Sequence, residues 1–329
     1  MELSVIMTFR NDEKTISASI ESILEQNLKK WELILIDRNS DDKSESIAQQ
    51  YASADKRIVY LRTEKKSIAD ALNEGIKVSA GKYIGIIEPG DLAHPQKLEK
   101  QYRFLNENET IDVVATCAEY ISDEGLRFEN FEYIKWTNSI LAHEEIEYSS
   151  FITCPLIYST IVFRKQIAQN VLYRTGAFPE DYELILRLLN KGTAMHKLSE
   201  HLIEWKDYPG RLERNSDLSS SPTFRELKAY YISEWLKKHN PYHPRIISWG
   251  AGKVARQCFS LLKELGIQPK FQVDLHANPQ YNVIEYTQTP PAGSNFIVAY
   301  ASNHEIRTLI REFLSTIGYL EGKDYIFCS

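Results

Sequence analysis

The chain has 329 residues, 43% of them hydrophobic and 26% charged, and a formal net charge of −6. This is globular composition, long enough for a large core and for two domains of about 100–200 residues each. The acidic balance argues against a broad nucleic-acid footprint, and no run approaches the ~18 uninterrupted apolar residues of a membrane span.

Met1-Glu2-Leu3-Ser4 carries neither the basic nor the apolar region of a secretory leader. Beyond it, apolar runs at Leu3–Thr8, Glu32–Asp37, Ile58–Leu61 and Tyr83–Ile87 predict strands. Between them Thr15–Glu25, Asp42–Tyr51 and Ser67–Val78 predict helices. Ile16, Ile20, Ile23 and Leu24 share a face of the first, and Ala69, Leu72 and Ile76 align on the third. Such alternation implies parallel βαβ units, whose ligands sit outside the carboxyl ends of the strands. The places to look are Thr8–Asn11, Asp37–Asp42 and Glu88–Asp91.

The middle of the chain is less regular. It predicts a helix at Pro95–Leu105, a strand at Val113–Cys117, a polar stretch, a strand at Ile157–Arg164 and a helix at Tyr182–Asn190 closed by Gly192. Ser219-Ser220-Ser221-Pro222 reads as a break, Phe224–Lys238 as a helix and Asn240–Pro244 as a linker.

Then the alternation restarts, with strands at Arg245–Trp249, Lys270–Asp274, Asn295–Tyr300 and Tyr325–Cys328 and helices at Lys253–Leu265 and Asn303–Ile317. Gly250-Ala-Gly252 turns from strand into helix, and Asp274 ends the next strand about 20 residues on, which is the context of a dinucleotide fingerprint. Gly250, Gly252 and Asp274 are therefore a candidate nucleotide site; a structural, oligomerising or partner-docking unit is the competing reading. Cys117, Cys154, Cys258 and Cys328 form no Cys-x-x-Cys pair, so neither zinc nor a disulfide framework is expected, and a reducing cytosol fits.

Leu3-Ser-Val-Ile-Met-Thr-Phe-Arg-Asn11, Trp31-Glu-Leu-Ile-Leu-Ile-Asp37, Asp70-Ala-Leu-Asn-Glu-Gly75, Gly81-Lys-Tyr-Ile-Gly-Ile-Ile-Glu-Pro-Gly-Asp91 and Glu180-Asp181-Tyr182 through Arg187 occur in that order. Together they resemble the family 2 glycosyltransferases of GT-A fold, over roughly Met1–Ser220. The resemblance implies an α/β protein. Residues 1–222 would form a GT-A domain, a mostly parallel sheet flanked by helices, and 223–244 a helical linker. Residues 245–329 resemble the small Rossmann-like domain appended to some bacterial glycosyltransferases and sugar-modifying methyltransferases. The implied activity is transfer of a sugar, with inversion, from a nucleotide-sugar donor to a hydroxyl acceptor, usually aided by Mg²⁺ or Mn²⁺; the resemblance implies no particular organic cofactor. The implied setting is bacterial surface polysaccharide or lipopolysaccharide assembly in the cytoplasm, with saccharide or lipid-linked acceptors at the inner face of the membrane. Homo-oligomerisation is left open.

Glu88-Pro-Gly-Asp91 offers two carboxylates after a predicted strand, and Pro89-Gly90 reads as the centre of a turn that brings them together. An ordinary acidic turn is the plain alternative. By resemblance Asp91 is the metal ligand and Glu88 a ribose or metal contact. Gly90 departs from the family's Asp-x-Asp-Asp, where that place commonly holds a metal-binding acid. Arg38 is a second departure, standing where the family often has an Asp that contacts uracil. A guanidinium cannot accept the imino hydrogen bond of uracil, but it can pair with a base carbonyl or with phosphate.

Thr8, Phe9, Arg10, Asn11 and Asp37 should face the nucleotide, and Asp70 either reaches the donor or complements its helix dipole. Asp181 matches the family's catalytic base and Glu180 an acceptor contact, against the competing reading of Asp181 as a helix N-cap. Arg211 and Arg214, on the Gly-containing segment Tyr208–Ser216, either close over the diphosphate or are solvated. Two rivals remain. One is a non-catalytic sugar-nucleotide or glycan-binding protein, favoured by Gly90 and Arg38; the other is a dinucleotide-binding regulator acting through the C-terminal unit.

Overall fold

The computed structural model describes residues 1–64, 67–123, 125–208, 211, 221–301 and 303–329. They divide into two compact units. The first comprises Met1–His143, Leu156–Leu184 and Lys191–Asn215; the second comprises Glu144–Pro155, Ile185–Asn190 and Ser216–Ser329.

The first unit is built on an eight-stranded sheet. In chain order its strands are β1 Leu3–Phe9, β2 Trp31–Asp37, β3 Ile58–Arg62, β4 Tyr83–Ile86, β5 Leu92–Ala93, β6 Val113–Ser122, β7 Val162–Arg164 and β8 Met195–Asp207. The spatial order is β3-β2-β1-β4-β7-β6-β8-β5. β3, β2, β1 and β4 run parallel, β7 is antiparallel to both β4 and β6, and β8 is parallel to β6. Every residue of β2 is buried, as a parallel strand covered on both faces requires. Its one mid-strand acid, Glu32, accepts hydrogen bonds from the Ser4 hydroxyl (2.5 Å) and the Ala80 amide (2.6 Å), so its charge is not stranded.

Helix Ile68–Val78 packs on β1, where a Cβ at Gly75 would lie 2.7 Å from Ile6 and 2.9 Å from Ile36. Glycine in the predicted Asp70–Gly75 motif is thus a packing requirement. After β1 the chain moves outward to β2 and β3, then returns to β4 on the other side. That reversal places the loops after β1, β2 and β4 at one crevice.

The predicted N-terminal strands and helices match the observed ones to within a few residues. The middle differs. Ile157–Arg164 is a 3₁₀ turn, Tyr158–Thr160, followed by the short β7. The polar stretch holds the end of β6 and two helices, Phe128–Asn138 and His143–Ser149. β8 has no counterpart in the sequence reading.

The second unit carries five parallel strands: β9 Arg245–Trp249, β10 Gln268–Asp274, β11 Val283–Glu285, β12 Ile297–Tyr300 and β13 Tyr325–Cys328. Their order is β11-β10-β9-β12-β13. The helix expected at Phe224–Lys238 is observed as Pro222–His239: Ser221 accepts from the Phe224 amide as its N-cap and Pro222 fills the first turn. Ser219 and Ser220 lie outside the described residues. Asn303 caps helix His304–Thr316 through the amides of Glu305 and Ile306, as its position predicts. Among the described residues no helix is long and apolar enough to cross a membrane.

Candidate active site

At the carboxyl ends of β1 and β2 two loops clasp each other. Asn11, in the left-handed region at φ 60, gives its amide to the Ser40 hydroxyl and accepts the Asp41 amide on its own side-chain oxygen. Asp12 receives the Arg10 amide and gives its own to Ser44. Asp37 is fully buried: one carboxylate oxygen takes both the amide and the hydroxyl of Ser40, and the other takes the Tyr60 hydroxyl. Asp37 therefore braces the loop in this structure. Arg38 gives its amide to the Phe9 carbonyl and is itself buried. Burial lowers the Arg38 guanidinium from its ordinary range, against the attraction of Asp12, Glu180 and Asp37 and together with the repulsion of Arg10.

Thr8 and Arg10 are partly exposed at the same strand end, and the Arg10 Nε is buried without a hydrogen-bond partner among the described residues. Phe9 needs correction as a side-chain contact: its ring is fully buried in the core and its carbonyl is engaged by Arg38. A residue that alternates inward at the end of a strand cannot present its ring to the crevice.

After β4 the Glu88–Asp91 turn forms as its Pro-Gly centre predicts, with the Asp91 amide on the Glu88 carbonyl. Gly90 sits at φ +100, a conformation that side chains rarely adopt. A Cβ there would meet the Tyr208 ring at 2.6 Å, and the Tyr208 hydroxyl donates to the Pro89 carbonyl.

Asp91 has no exposed surface. Arg211 reaches it through both terminal nitrogens, at 2.5 and 3.0 Å, and spans to Glu88 at 2.9 Å. Ser159 donates to the second Asp91 oxygen at 2.5 Å and also receives the Glu88 amide. The guanidinium lies over the Trp205 ring, 4.2 Å from its centroid. Lys97, 2% exposed, adds a second cation in electrostatic reach of Asp91; burial pushes its pKa down to about 7 against that attraction. Arg214 lies outside the described residues.

A divalent cation of the Mg²⁺ or Mn²⁺ type wants six or more oxygens in its shell. Among the described residues no group of three or more His, Cys, Asp or Glu side chains is placed to hold one. Both oxygens of Asp91 already serve a guanidinium. In this arrangement the donor set does not fit the metal expected at Asp91.

Helix Glu180–Asn190 opens with Glu180, Asp181 and Glu183 in its first turn. Asp181 is half-buried at that helix head. Burial raises the Glu180 carboxyl, and Arg38 opposes the rise. The buried Tyr158 hydroxyl is held well above its ordinary range by burial, with Asp181 and Glu180 among the charges that push it further. Asp70 is half-buried in the first turn of its helix, whose Ser67 cap accepts the Asp70 amide. Three turns of sequence reasoning thus reappear in one unit: the β1 and β2 loops, the Glu88–Asp91 turn and the Glu180–Asp181 helix head. Sequence reasoning gave no role to Asp12, Lys97 or Tyr208. Of these, Asp12 alone carried a signal, as the next acid after Arg10-Asn11 at a strand end.

In the second unit Gly250 adopts φ +103 and Gly252 precedes helix Lys253–Glu264 without a side-chain cap. Asp274 turns toward this loop: its carboxylate takes the Ala251 amide at 2.6 Å and its own neighbour's amide, Leu275, at 2.7 Å.

Residues 4–172 match the family described as Glycosyl transferase family 2. The O-antigen biosynthesis glycosyltransferase WbnJ of Escherichia coli is 29% identical over 242 residues, which cover 72% of this chain and 89% of that protein. S. aureus TarS in complex with UDP-GlcNAc has a TM-score of 0.55 at 16% identity, over 80% of this chain and 71% of that one. The mannosyltransferase PcManGT from Pyrobaculum calidifontis, in complex with GDP-Man and Mn²⁺, has a TM-score of 0.51 at 16% identity, over 80% and 68%. Identities this low speak for the fold. The family match, covering 4–172 of 329 residues and running through the strand-end loops of an α/β sheet of GT-A type, carries the rest: this chain belongs to glycosyl transferase family 2 and is a glycosyltransferase.

Proposed function

We propose that the chain transfers a sugar, with inversion, from a nucleotide-diphospho-sugar to a hydroxyl of a surface polysaccharide or lipid-linked saccharide. The observation that carries this reading is the electrostatic cluster on Arg38. It joins the β1 loop through Asp12 and Arg10, the end of β2 through Asp37, and the head of helix Glu180–Asn190 through Glu180. A donor at the β1 and β2 loops and an acceptor at Asp181 would then share one crevice. The nucleotide-sugar complexes of TarS and PcManGT, and the O-antigen role of WbnJ, support the substrate classes.

In the proposed step Asp181 takes the proton of the acceptor hydroxyl. The freed oxygen pair forms a bond to the anomeric carbon on the face opposite the leaving group. The bond from that carbon to the diphosphate oxygen breaks, and its electrons leave with the nucleoside diphosphate. Arg10 and Arg38 supply positive charge at the donor end, where negative charge develops. Glu180, held above the ordinary carboxyl range by burial, is suited to hydrogen-bond the acceptor.

Two measurements test this. A thermal-shift panel of UDP, GDP, dTDP and CMP with their sugar conjugates should yield stabilisation by one nucleotide class, about 2.7 kcal/mol at 100 times Kd. Asp181→Asn should keep that shift and lose about 10²–10⁴-fold in transfer, the usual worth of a general base. Normal turnover by this variant, or no shift with any nucleotide, overturns the reading.

A further inference from the structure

We propose that Arg211 is the resident cation of the donor site, standing in for a divalent metal, so that this chain binds its nucleotide diphosphate without one. The inference rests on the donor-site reading above.

Three independent features meet at the Glu88–Asp91 turn. The turn already holds its own cation: two carboxylates, Glu88 and Asp91, face the guanidinium of Arg211, and the Lys97 amine lies in electrostatic reach of Asp91. A divalent ion at Asp91 would sit beside that guanidinium in a place with little access to water: the Asp91 side chain is 0% exposed and that of Arg211 3%, and only Glu88, at 26%, reaches solvent.

The geometry is fixed as well. Arg211 uses one terminal nitrogen for Asp91 and the Lys206 carbonyl and the other for Asp91 and Glu88, so three of its five N–H donors hold this turn and a fourth ties it to β8. Trp205 backs the guanidinium plane. Displacing it would strand a buried carboxylate, which is the expensive way to break such a pair.

The third feature is the missing acid. Gly90 occupies the place where the related pattern has a metal-binding carboxylate, and the space its side chain would need is filled by the Tyr208 ring. The Tyr208 hydroxyl closes the arrangement on the Pro89 carbonyl at 2.9 Å. Glycine at the turn, tyrosine over it and arginine beside it act together with one physical result. The acid is gone, its room is gone, and its counter-charge is covalently attached.

The test begins with the unaltered protein. Mn²⁺ is titrated alone, following the paramagnetic signal of the free ion, and no saturable site is expected in the millimolar range. The nucleotide diphosphate identified by the panel should bind with a Kd that differs less than twofold between EDTA and Mn²⁺. Arg211→Ala combined with Tyr208→Ala should open the site, so that Mn²⁺ binds and tightens nucleotide binding tenfold or more. Mn²⁺ binding by the unaltered protein that Asp91→Asn abolishes would overturn the proposal, as would loss of nucleotide binding in EDTA. Should the double variant not fold, the titrations on the unaltered protein decide by themselves. If no nucleotide binds with or without Mn²⁺, the donor-site reading fails, and the Mn²⁺ titration still judges Arg211 separately.

Discussion

At the carboxyl end of β1 the turn residue Asn11 gives its amide to Ser40, whereas at the carboxyl end of β9 the amide of Ala251 goes to Asp274. The two places are topological counterparts. β3-β2-β1-β4 and β11-β10-β9-β12 have the same order, all parallel, with an acid ending the second strand, Asp37 in one and Asp274 in the other. In the first sheet that acid braces its own loop through Ser40, and the loop after β1 brings Arg10 and Asp12 to a cluster of charge. In the second, the acid takes a main-chain amide of the very loop that a pyrophosphate would approach. Strand order makes a crevice in both; the side chains on its rim decide which crevice does chemistry.

The largest difference should lie in what each acid turn contributes to stability. Asp91→Ala leaves the buried Arg211 with Glu88 and the Lys206 carbonyl but without its fully buried partner, and removing one partner of a buried pair costs about 3–5 kcal/mol. Chemical denaturation measures it directly. A loss no larger than that of an exposed ion pair, about 0–1 kcal/mol, would mean that Arg211 turns to solvent and that the first crevice is as loosely held as the second.

The sequence shows why one crevice was easier to read than the other. Short loops after apolar strands put Thr8–Asn11, Asp37–Asp42 and Glu88–Asp91 together by topology alone, and both parallel sheets follow from their Ile-, Leu- and Val-rich runs. The partner of Asp91 was not legible in that way, because Arg211 lies 120 positions away, beyond β8. β8 itself reads as polar: Lys197, Glu200, His201, Glu204 and Lys206 break up its apolar residues, and the strand is held by pairing with β6. Helix Phe128–Asn138 buries only Ile134 and Thr137, so no apolar stripe announces it. Phe9 misled for the opposite reason: a motif residue at a strand end was given a ligand role although its alternation points it into the core.

A middle-sized effect separates the helices that carry the two glycines, Gly75 within one and Gly252 at the head of the other. Gly75→Ala drives a methyl into Ile6 and Ile36 on β1 and β2 and should cost about 1–3 kcal/mol as overpacking. Gly252→Ala meets no atom within 4 Å and precedes its helix at an ordinary φ, so only the few tenths of a kcal/mol to about 1 kcal/mol of a weaker cap are expected. Equal midpoints for the two variants would show that close helix approach does not distinguish the sheets.

Each unit also buries a lysine, and pH tells them apart. Burial lowers Lys97 to about 7 and Lys228 to about 8; the Lys228 ammonium donates to the carbonyls of Ile152 and Ser329. A lysine pKa depressed by folding means that the unfolded chain binds more protons above the folded value. Stability from this source therefore rises with pH, from about 7 toward the unfolded value near 10.4. Lys228→Met should remove the part of the slope that begins near pH 8, and Lys97→Met the part that begins near pH 7. Lys97→Met and Lys228→Met variants whose pH slopes across 7–9 equal that of the unaltered protein would refute both burials.

The smallest effect expected is also the most direct comparison of the two crevices. Asp274 accepts two main-chain hydrogen bonds at 2.6 and 2.7 Å, from Ala251 and from the exposed Leu275. Asp274→Ala hands those amides to water, so the net loss should be about 1 kcal/mol. The Ala251 amide, relieved of its carboxylate, becomes available at a helix N-terminus, which is where an anion would sit if this loop were a suppressed phosphate site. Transfer should stay within twofold of the unaltered enzyme, because in the proposed mechanism every proton and charge is handled by residues of the first unit. A tenfold loss of transfer with the fold intact would place a working part of the enzyme in the second sheet. The contrast between a working crevice and a self-closed one would then have to be abandoned.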